Sequence, residues 1–241
     1  MPTAWLNPDD PFPPVDQWDA DGLVAVGGGM GTDRLLEAYS RGIFPWDFYR
    51  GHPMWFCPED RIIFDPKTWR PHRRLARTIR SAGFHFTVDK AFSEVVRQCG
   101  TVPRPGQQGT WIKPIYIRAI LKMHELGFAH SVECWQGDIL AGGLYGVALG
   151  AVFCGESMFH RTPDASKAAF AALAAACRIL GITLIDGQVP NRHLIHLGGV
   201  IISREDFLER LQNCLPPLPY LGNRWEITET QIAAELRANT E

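Results

Sequence analysis

The fold is indicated by residues 130–185, which read HSVECWQGDILAGGLYGVALGAVFCGESMFHRTPDASKAAFAALAAACRILGITLI. Short apolar segments bounded by glycine predict strands, and a long alanine-rich segment predicts a helix. In order, the predicted elements are strands at His130–Trp135, Ile139–Leu149 and Ala151–Cys154, a helix at Ala165–Leu180 and a strand at Ile182–Ile185. Asp164 or Ser166 can cap the helix, and Gly181 ends it. This succession predicts an α/β or α+β protein with a mixed sheet.

The first 61 residues differ from the rest of the chain because they are rich in proline, glycine and tryptophan. One convincing helical pattern occurs there, at Asp33–Ser40, and it ends at Gly42. After residue 62, helical and strand patterns alternate without an internal repeat. The further predicted elements are helices at Pro71–Ser81, Lys90–Gln98, Pro114–Leu126 and Arg204–Gln212, a strand at His85–Val88 and a polar loop at Thr101–Gly109. We expect a small loop-rich N-terminal domain, 1–61, and a larger domain, 62–241.

Length and composition exclude several classes of protein. A chain of 241 residues with 46% hydrophobic and 21% charged residues is typical of globular proteins. No apolar run reaches the ~18–20 residues that span a bilayer, and no secretory signal is visible, so we expect a cytoplasmic protein. The six cysteines form no C-x-x-C pair, and His193 and His196 have no thiol or carboxylate beside them. We therefore expect no metal site and no cofactor.

A glycine-rich segment at residues 24–31, VAVGGGMG, resembles a phosphate-binding loop. In the pattern G-x-G-x-x-G counted from Gly27, however, Thr32 occupies the position of the third glycine, and no Gly-Lys-Ser/Thr follows. We therefore predict a turn that requires positive φ.

A basic segment at residues 61–80 carries seven basic residues and one acid, a net charge of +6 in a chain whose net charge is −2. Five of its arginines recur at intervals of three and four and would lie along one side of a helix: Arg70, Arg73, Arg74, Arg77 and Arg80. Leu75 and Ile79 would face inward. These arginines would repel one another unless phosphates neutralise them, so we interpret them as a polyanion site. The alternative is a solvated arginine face without a partner.

Aromatic residues are dense at residues 44–69, and Trp111 follows the polar loop. Tryptophan usually belongs to the core. Near a basic helix, one or two exposed rings could instead stack on unpaired bases. The combination indicates a single-stranded nucleotide end held beside the arginines.

Polar residues follow two apolar strands. Glu156 leaves the end of the predicted strand Ala151–Cys154, after Gly155. The predicted strand Ile182–Ile185 delivers Asp186 and Gln188 to one face, two residues apart. Such residues are often merely outward-facing, but polar groups beside glycine at strand ends are also where α/β enzymes place their chemistry. The residues alone leave both interpretations open.

Seven motifs follow one another along the chain: GIFPW (42–46), GTWI (109–112), HELG (124–127), GGLYG (142–146), FCGESMF (153–159), ASK (165–167) and LIDGQ (184–188). Their order resembles that of the bacterial leucyl/phenylalanyl-tRNA–protein transferases over nearly the whole chain, weakening after about residue 215. Those enzymes move leucine or phenylalanine from its tRNA onto proteins that begin with arginine or lysine, which marks these proteins for degradation by the N-end rule. The resemblance implies a small N-terminal domain followed by a GNAT-type acyltransferase domain. It also implies a monomer that binds aminoacyl-tRNA and protein substrates but no membrane.

The resemblance also assigns site residues. It implies a catalytic centre of Glu156, Asp186 and Gln188, a 3′-adenosine site of Trp46 and Trp111, and a pocket for the transferred side chain, possibly including methionine, at Leu144, Phe153, Met158 and Ile185. Leu144 stands where the family more usually has methionine, and Gly187 stands where it has a bulkier residue. These two departures affect the preference among Leu, Phe and Met.

An aminoacyl ester is already activated, so its transfer to an amine needs no ATP site. Gln188 cannot hold a proton, so we interpret it as a positioning group polarised by Asp186, with water or a ribose hydroxyl as the final proton acceptor. The carboxylates of Asp186 and Glu156 would favour a cationic acceptor. One alternative is an acyl-CoA-dependent acyltransferase, although residues 159–165 lack the glycines of its pyrophosphate loop. Another is a non-catalytic tRNA-binding adaptor, which would leave the three polar residues without a role.

Overall fold

The computed structural model describes residues 4–101 and 110–239. Within them the chain forms two β-sheets and eight α-helices, so it is a mixed α/β protein, as the sequence predicts. The strands are β1 Ala4–Leu6, β2 Leu23–Gly27, β3 Phe44–Tyr49, β4 His52–Phe56, β5 Asp60–Phe64, β6 Phe84–Val88, β7 Ala129–Gln136, β8 Ile139–Leu149, β9 Val152–His160, β10 Leu184–Asp186 and β11 Val200–Ser203. The helices are α1 Thr32–Ser40, α2 Arg73–Ser81, α3 Phe92–Thr101, α4 Pro114–Glu125, α5 Ala165–Leu180, α6 Arg192–His196, α7 Arg204–Cys214 and α8 Glu229–Ala238. The polar loop expected at Thr101–Gly109 lies outside the described residues, apart from Thr101 at the end of α3.

The first sheet corrects the expectation of a loop-rich N-terminal region. Its four strands lie in the order β1-β2-β4-β3, with β1 parallel to β2 and the other neighbours antiparallel. The sequence pattern misses β3 and β4 because each contains a proline, Pro45 and Pro53, which is unusual within a strand. The sheet is held together in part by Trp55, which is fully buried and whose indole N–H donates to the Gly27 carbonyl at 2.8 Å.

The glycine-rich segment is a turn, as predicted. Gly27, Gly28 and Gly29 have φ values of 95°, 76° and 73°. A Cβ on Gly27 would lie 2.5 Å from the carbonyl oxygen of Leu6, so a side chain here would displace β1.

The second sheet has seven strands in the order β11-β5-β10-β9-β8-β7-β6, and only the pair β9–β10 is parallel. The predicted bounds of β8 are correct, and those of β6, β7 and β10 are correct to within two residues. Strand β9 is longer than predicted, because it continues past Cys154 to His160, paired with β8. Glu156 therefore lies within a strand and not at its end. The division into domains at residue 61 stays a prediction; β5, which contains residue 61, belongs to the second sheet.

Helix α5 packs across the second sheet and has its predicted bounds. Gly181 follows it with φ 75°, as predicted for a C-cap. Asp164 occupies the N-cap position, but its side chain accepts a hydrogen bond from Lys167 Nζ at 2.7 Å and caps no backbone N–H. Small residues let the helix approach the sheet closely, since a Cβ on Gly142 would lie 2.8 Å from Ala165 Cβ.

Helix α2 begins at Arg73 rather than at the predicted Pro71, because the His72 side chain caps it by accepting a hydrogen bond from the Leu75 N–H at 3.2 Å. Strands β1, β2, β5 and β11 and helices α6 and α8 were not predicted. None of the helices in the described ranges is long and apolar enough to cross a bilayer.

The parallel strands β9 and β10 are paired over only three residues, the last pair being Cys154 and Asp186. There β10 ends, whereas β9 continues for six more residues alongside β8. The two strands therefore separate within the second sheet, and the cavity described next is lined by both.

Candidate active site

A cavity of about 540 Å³ lies where β9 and β10 separate, with α5 and part of β8 as further walls. It is lined by every residue predicted for the catalytic centre, the adenosine site and the aminoacyl pocket: Trp46, Trp111, Leu144, Phe153, Glu156, Met158, Ile185, Asp186 and Gln188. The fold thus brings together Trp46 from the first sheet, Trp111 from the segment that precedes α4, and residues from the second sheet.

Glu156 enters the cavity from an irregularity in β9. Its neighbours Gly155 and Ser157 pair with consecutive residues of β8, so Glu156 is the extra residue of a β-bulge. Bulges next to active sites redirect a side chain out of the normal strand alternation. Here the redirected side chain is a buried carboxylate.

Two hydrogen bonds hold the Glu156 carboxylate. The Tyr116 hydroxyl donates to Oε2 and Gln188 Nε2 donates to Oε1, each at 2.7 Å. The buried Tyr39 hydroxyl interacts with the same carboxylate, although without a hydrogen bond of standard geometry. Burial raises the pKa of Glu156 to about 7, the donors oppose this rise, and the nearby Asp186 charge adds to it. Glu156 therefore changes protonation state near neutral pH.

Asp186 is neutralised by a buried arginine. Arg61 Nε and Nη2 donate to its two carboxylate oxygens at 2.7 and 2.5 Å, and Arg61 Nη1 donates to the Gly42 carbonyl at 2.9 Å. Arg61 is 1% exposed and its guanidinium lies 4.1 Å from the ring centroid of Phe207. The sequence interpretation counted Arg61 in the basic segment that would meet a polyanion; this is wrong for Arg61, since no ligand can reach it.

Gln188 is fixed through both its backbone and its side chain. The residue lies beyond β10 with φ 61°, and its backbone N–H donates to Asp186 Oδ1 at 2.7 Å. Its side-chain amide contacts Glu156 instead. The expectation that one strand presents Asp186 and Gln188 by alternation is thus wrong, since β10 ends at Asp186. Asp186 holds the backbone of Gln188 and does not polarise its side-chain amide through a direct hydrogen bond.

The apolar part of the cavity contains the four predicted residues and five aliphatic or phenyl side chains that sequence reasoning missed: Phe64, Phe170, Leu173, Val189 and Leu194. Phe170 and Leu173 come from α5, where an alanine-rich pattern obscured them. Near Met158, His193 Nε2 lies 3.3 Å from the thioether sulfur, and burial lowers the pKa of His193.

The two predicted adenosine-binding tryptophans occupy different environments. Trp46 is 40% exposed and meets the Phe56 ring edge-on, with centroids 5.4 Å apart. Trp111 is half-buried and meets the Tyr116 ring edge-on at 4.7 Å. Trp55 is part of the core, so only some of the aromatic-rich segment is available to a ligand.

The five arginines Arg70, Arg73, Arg74, Arg77 and Arg80 are exposed and line a separate groove of about 700 Å³. Arg70 precedes α2, so the expectation that all five arginines lie along one helix is wrong for Arg70 and correct for the other four. Leu75 and Ile79 of α2 are buried, as predicted. The C-terminal end of α8, at Ala238 and Asn239, forms the other side of the groove. Among the described residues, no group of three or more His, Cys, Asp or Glu side chains could hold a metal ion.

Comparison with known proteins identifies relatives over nearly the whole chain. Models of the leucyl/phenylalanyl-tRNA protein transferase family and of its N-terminal domain match residues 63–212 and 31–59. A leucyl/phenylalanyl-tRNA–protein transferase of Anaeromyxobacter sp. (strain K) is 45% identical over 94% of this chain and 97% of its own. Proteins of the same name from Shewanella denitrificans and Chromobacterium violaceum are 47% and 46% identical, over 86% and 89% of this chain and 89% and 93% of theirs.

Solved structures are less similar. FemX is 11% identical with a TM-score of 0.46, covering 76% of this chain and 71% of its own, and L-PGS from Bacillus licheniformis is 14% identical with a TM-score of 0.41, covering 87% and 70%. Identities and TM-scores this low support no conclusion about the function of this chain. The family models and the close relatives, in contrast, show that it belongs to the leucyl/phenylalanyl-tRNA protein transferase family.

Proposed function

We propose that the protein transfers leucine or phenylalanine from its tRNA to the α-amine of proteins that begin with arginine or lysine, and so marks them for N-end rule degradation in the cytoplasm. The relatives' names describe transfer from leucyl- or phenylalanyl-tRNA to protein. The observation that carries the proposal is one cavity that contains aromatic rings, an apolar pocket and the hydrogen-bonded Glu156–Gln188 pair.

The catalytic domain is proposed to be of the GNAT acyltransferase type and to begin near residue 62. Supporting this, the adjacent parallel strands β9 and β10 separate after three paired residues and leave a substrate-sized gap in a mixed sheet. Ligand sites of α/β proteins commonly lie at the carboxyl ends of such strands.

The reaction is aminolysis of an ester. The acceptor's α-amine attacks the carbonyl carbon of the aminoacyl group, a C–N bond forms, and the ester C–O bond to the terminal ribose breaks. The nitrogen loses one proton and the ribose oxygen gains one. With an ordinary α-amine pKa of ~7.7–8.0, a fraction of the acceptor is already neutral at pH 7, so holding the two substrates at attack distance is the main requirement.

Gln188 is positioned to orient the amine. Its Nε2 is committed to Glu156 Oε1, which leaves its amide oxygen as the acceptor for an amine hydrogen. Glu156, with a pKa of about 7, can take the proton that the amine releases, in addition to water or the ribose hydroxyl expected from the sequence. Asp186 and Arg61 act beneath the cavity by fixing the backbone of Gln188.

The remaining subsites follow from their chemistry. The Trp46 and Trp111 rings offer faces and edges for the 3′-terminal adenine, and the apolar end of the cavity takes a leucyl or phenylalanyl side chain. The arginines of α2 would contact phosphates of the tRNA, which makes recognition largely independent of sequence.

The test is direct. The protein is incubated with leucyl- or phenylalanyl-tRNA and a peptide that begins with arginine, and the peptide is examined by mass spectrometry. A gain of one leucine or phenylalanine residue is expected without ATP or acyl-CoA. An unmodified peptide with bound tRNA would indicate an adaptor, and transfer that requires acyl-CoA would indicate another acyltransferase; both results would overturn the proposal.

A further inference from the structure

Tyr116 is a buried tyrosine that sequence reasoning assigned no role, and it touches two subsites of the cavity. Its side chain is fully buried on α4, its hydroxyl donates to Glu156 Oε2 at 2.7 Å, and its ring meets Trp111 edge-on at 4.7 Å. Glu156 in turn accepts from Gln188 through its other oxygen. A continuous set of contacts therefore runs from Trp111 through Tyr116 and Glu156 to Gln188.

We propose that Tyr116 is a positioning residue that sets the orientation and charge of Glu156 with its hydroxyl and supports the adenosine-binding Trp111 with its ring. This inference rests on the proposed function for the identity of the substrates, but the contacts themselves belong to the resting protein. Tyr116 thereby helps to position both substrates, because Glu156 and Gln188 contact the acceptor amine in the proposed reaction and Trp111 contacts the 3′ end of the tRNA.

The hydroxyl contact selects one arrangement of the carboxylate. By occupying Oε2, Tyr116 leaves Oε1 for Gln188 Nε2, and this fixes which end of the Gln188 amide faces the cavity. A hydrogen bond donated to a carboxylate also favours its charged form. Loss of the hydroxyl should therefore raise the pKa of Glu156, and a stronger donor at the same place should lower it.

Several other groups face Glu156 and stay in place when Tyr116 is changed. They are Tyr39 from α1, Cys154 from β9, Asp186 from β10 and the Gln188 amide, while Tyr145 from β8 faces Tyr116 itself. Asp186 is held by Arg61, so its influence on Glu156 is the same in every variant below. A shift between variants thus reports the Tyr116 hydroxyl.

The first experiment titrates Glu156 in the protein without substrates. Carboxyl-labelled glutamate is followed by ¹³C NMR from pH 5 to 9, and the Glu156 resonance is assigned as the one missing in Glu156→Gln. Tyr116→Phe should raise the midpoint by about one pH unit, whereas 3-fluorotyrosine at position 116, which has a more acidic hydroxyl, should lower it. The fluorinated protein retains the ring and hydroxyl, so it gives an answer even if Tyr116→Phe does not fold. Unchanged midpoints would overturn the proposal.

The second experiment separates the two contacts by steady-state kinetics of transfer between pH 6.0 and 8.5. Tyr116→Phe keeps the ring, so we expect the acid limb of kcat to move to higher pH while the KM for aminoacyl-tRNA stays within about twofold. Tyr116→Leu removes the ring as well and should also raise that KM at least fivefold. Tyr220→Phe, outside the cavity, should change neither. The titration of the α-amine is common to all variants.

The outcomes distinguish the two proposals. If the wild-type protein transfers no amino acid, the proposed function fails, and the NMR titration still decides the role of Tyr116. If wild-type transfer occurs but both variants lower kcat and raise KM by similar factors, with no change in pH dependence, Tyr116 is only structural and this inference fails alone.

Discussion

Arg61 and Asp186 form a bidentate ion pair in which both side chains are almost completely buried, one on β5 and the other at the end of β10. Arg61 also donates to the Gly42 carbonyl, so the pair joins the GIFPW segment to the floor of the cavity. Asp186 accepts the backbone N–H of Gln188 as well. The stability of the fold and the geometry of the proposed catalytic centre therefore depend on the same two side chains.

Removing one member of this ion pair should lower the free energy of unfolding substantially. In Asp186→Asn a guanidinium remains buried without its counter-ion, for which a loss of ~3–5 kcal/mol in the free energy of unfolding is typical. Urea denaturation measures the loss. The exposed pair Lys122–Glu125 is the control, because Glu125→Gln should cost about 1 kcal/mol or less. A cost as small for Asp186→Asn would contradict the role assigned to the pair.

The Arg61–Asp186 ion pair also affects which carboxylate can select the acceptor peptide. Because Arg61 neutralises Asp186, Glu156 is the carboxylate left to attract a cationic first residue. Glu156→Gln should therefore lower the ratio of kcat/KM for Arg-started over Ala-started peptides, while the exposed Asp138→Asn leaves it unchanged.

The pH dependence of that ratio gives a second check. Burial raises the pKa of Glu156 to about 7, so Glu156 is largely neutral at pH 6 and largely charged at pH 8. The preference for arginine over alanine in the wild-type protein should therefore increase across this interval. A ratio that is constant with pH, and equal in Glu156→Gln, would show that the preference does not come from Glu156.

Sequence patterns predicted the elements whose apolar residues are numerous and regularly spaced. Strand β8 and helix α5 have such patterns and their predicted bounds are correct. The short strands β3 and β4 were missed because each depends on a partner strand to hold a proline in an extended backbone. The sequence pattern within one strand contains no information about which strand will pair with it.

The candidate site was predictable only in part, for similar reasons. Glu156 and Asp186 stand out as acids beside apolar runs, yet the bulge that turns Glu156 into the cavity depends on the register between β8 and β9. Arg61 precedes the apolar run Ile62–Phe64, a sign of burial that its basic neighbours obscured. Tyr116 gave no signal, because its role comes from a contact with a residue forty positions away.

Trp46 should contribute to the binding of tRNA but little to the stability of the fold. It is 40% exposed, so Trp46→Ala should change the free energy of unfolding by about 1 kcal/mol or less, whereas Trp55→Ala, at a fully buried site, should cost ~3–5 kcal/mol. Loss of a stacked base should weaken binding of a CCA-ended acceptor-stem RNA by ~1–3 kcal/mol. Fluorescence titration measures the binding. Equal affinity of wild type and Trp46→Ala would remove Trp46 from the adenosine site.

The α2 arginines should bind tRNA through its phosphates. Reversal of Arg73, Arg74 and Arg77 to glutamate should weaken the binding of every tRNA and reduce the slope of log K against log salt, by roughly 0.7–0.9 for each phosphate that an arginine no longer neutralises. Arg210→Glu, an exposed arginine on α7, is the control and should leave the slope unchanged. An unaltered slope in the triple variant would mean that the groove does not meet the RNA backbone.

The apolar end of the cavity should discriminate by size. Valine fills less of a pocket lined by Leu144, Phe153 and Met158 than leucine does, so transfer of valine should be disfavoured by ~1–3 kcal/mol, or about 10–200-fold in kcat/KM. Leu144→Ala enlarges the pocket and should raise the ratio of phenylalanine to leucine transfer. Leu140→Ala removes the same atoms from a buried position of β8 outside the cavity, so its ratio should match the wild type. Competition between two charged tRNAs for one Arg-started peptide gives these ratios directly, and equal use of valine and leucine by the wild-type protein would show that these side chains do not form the pocket.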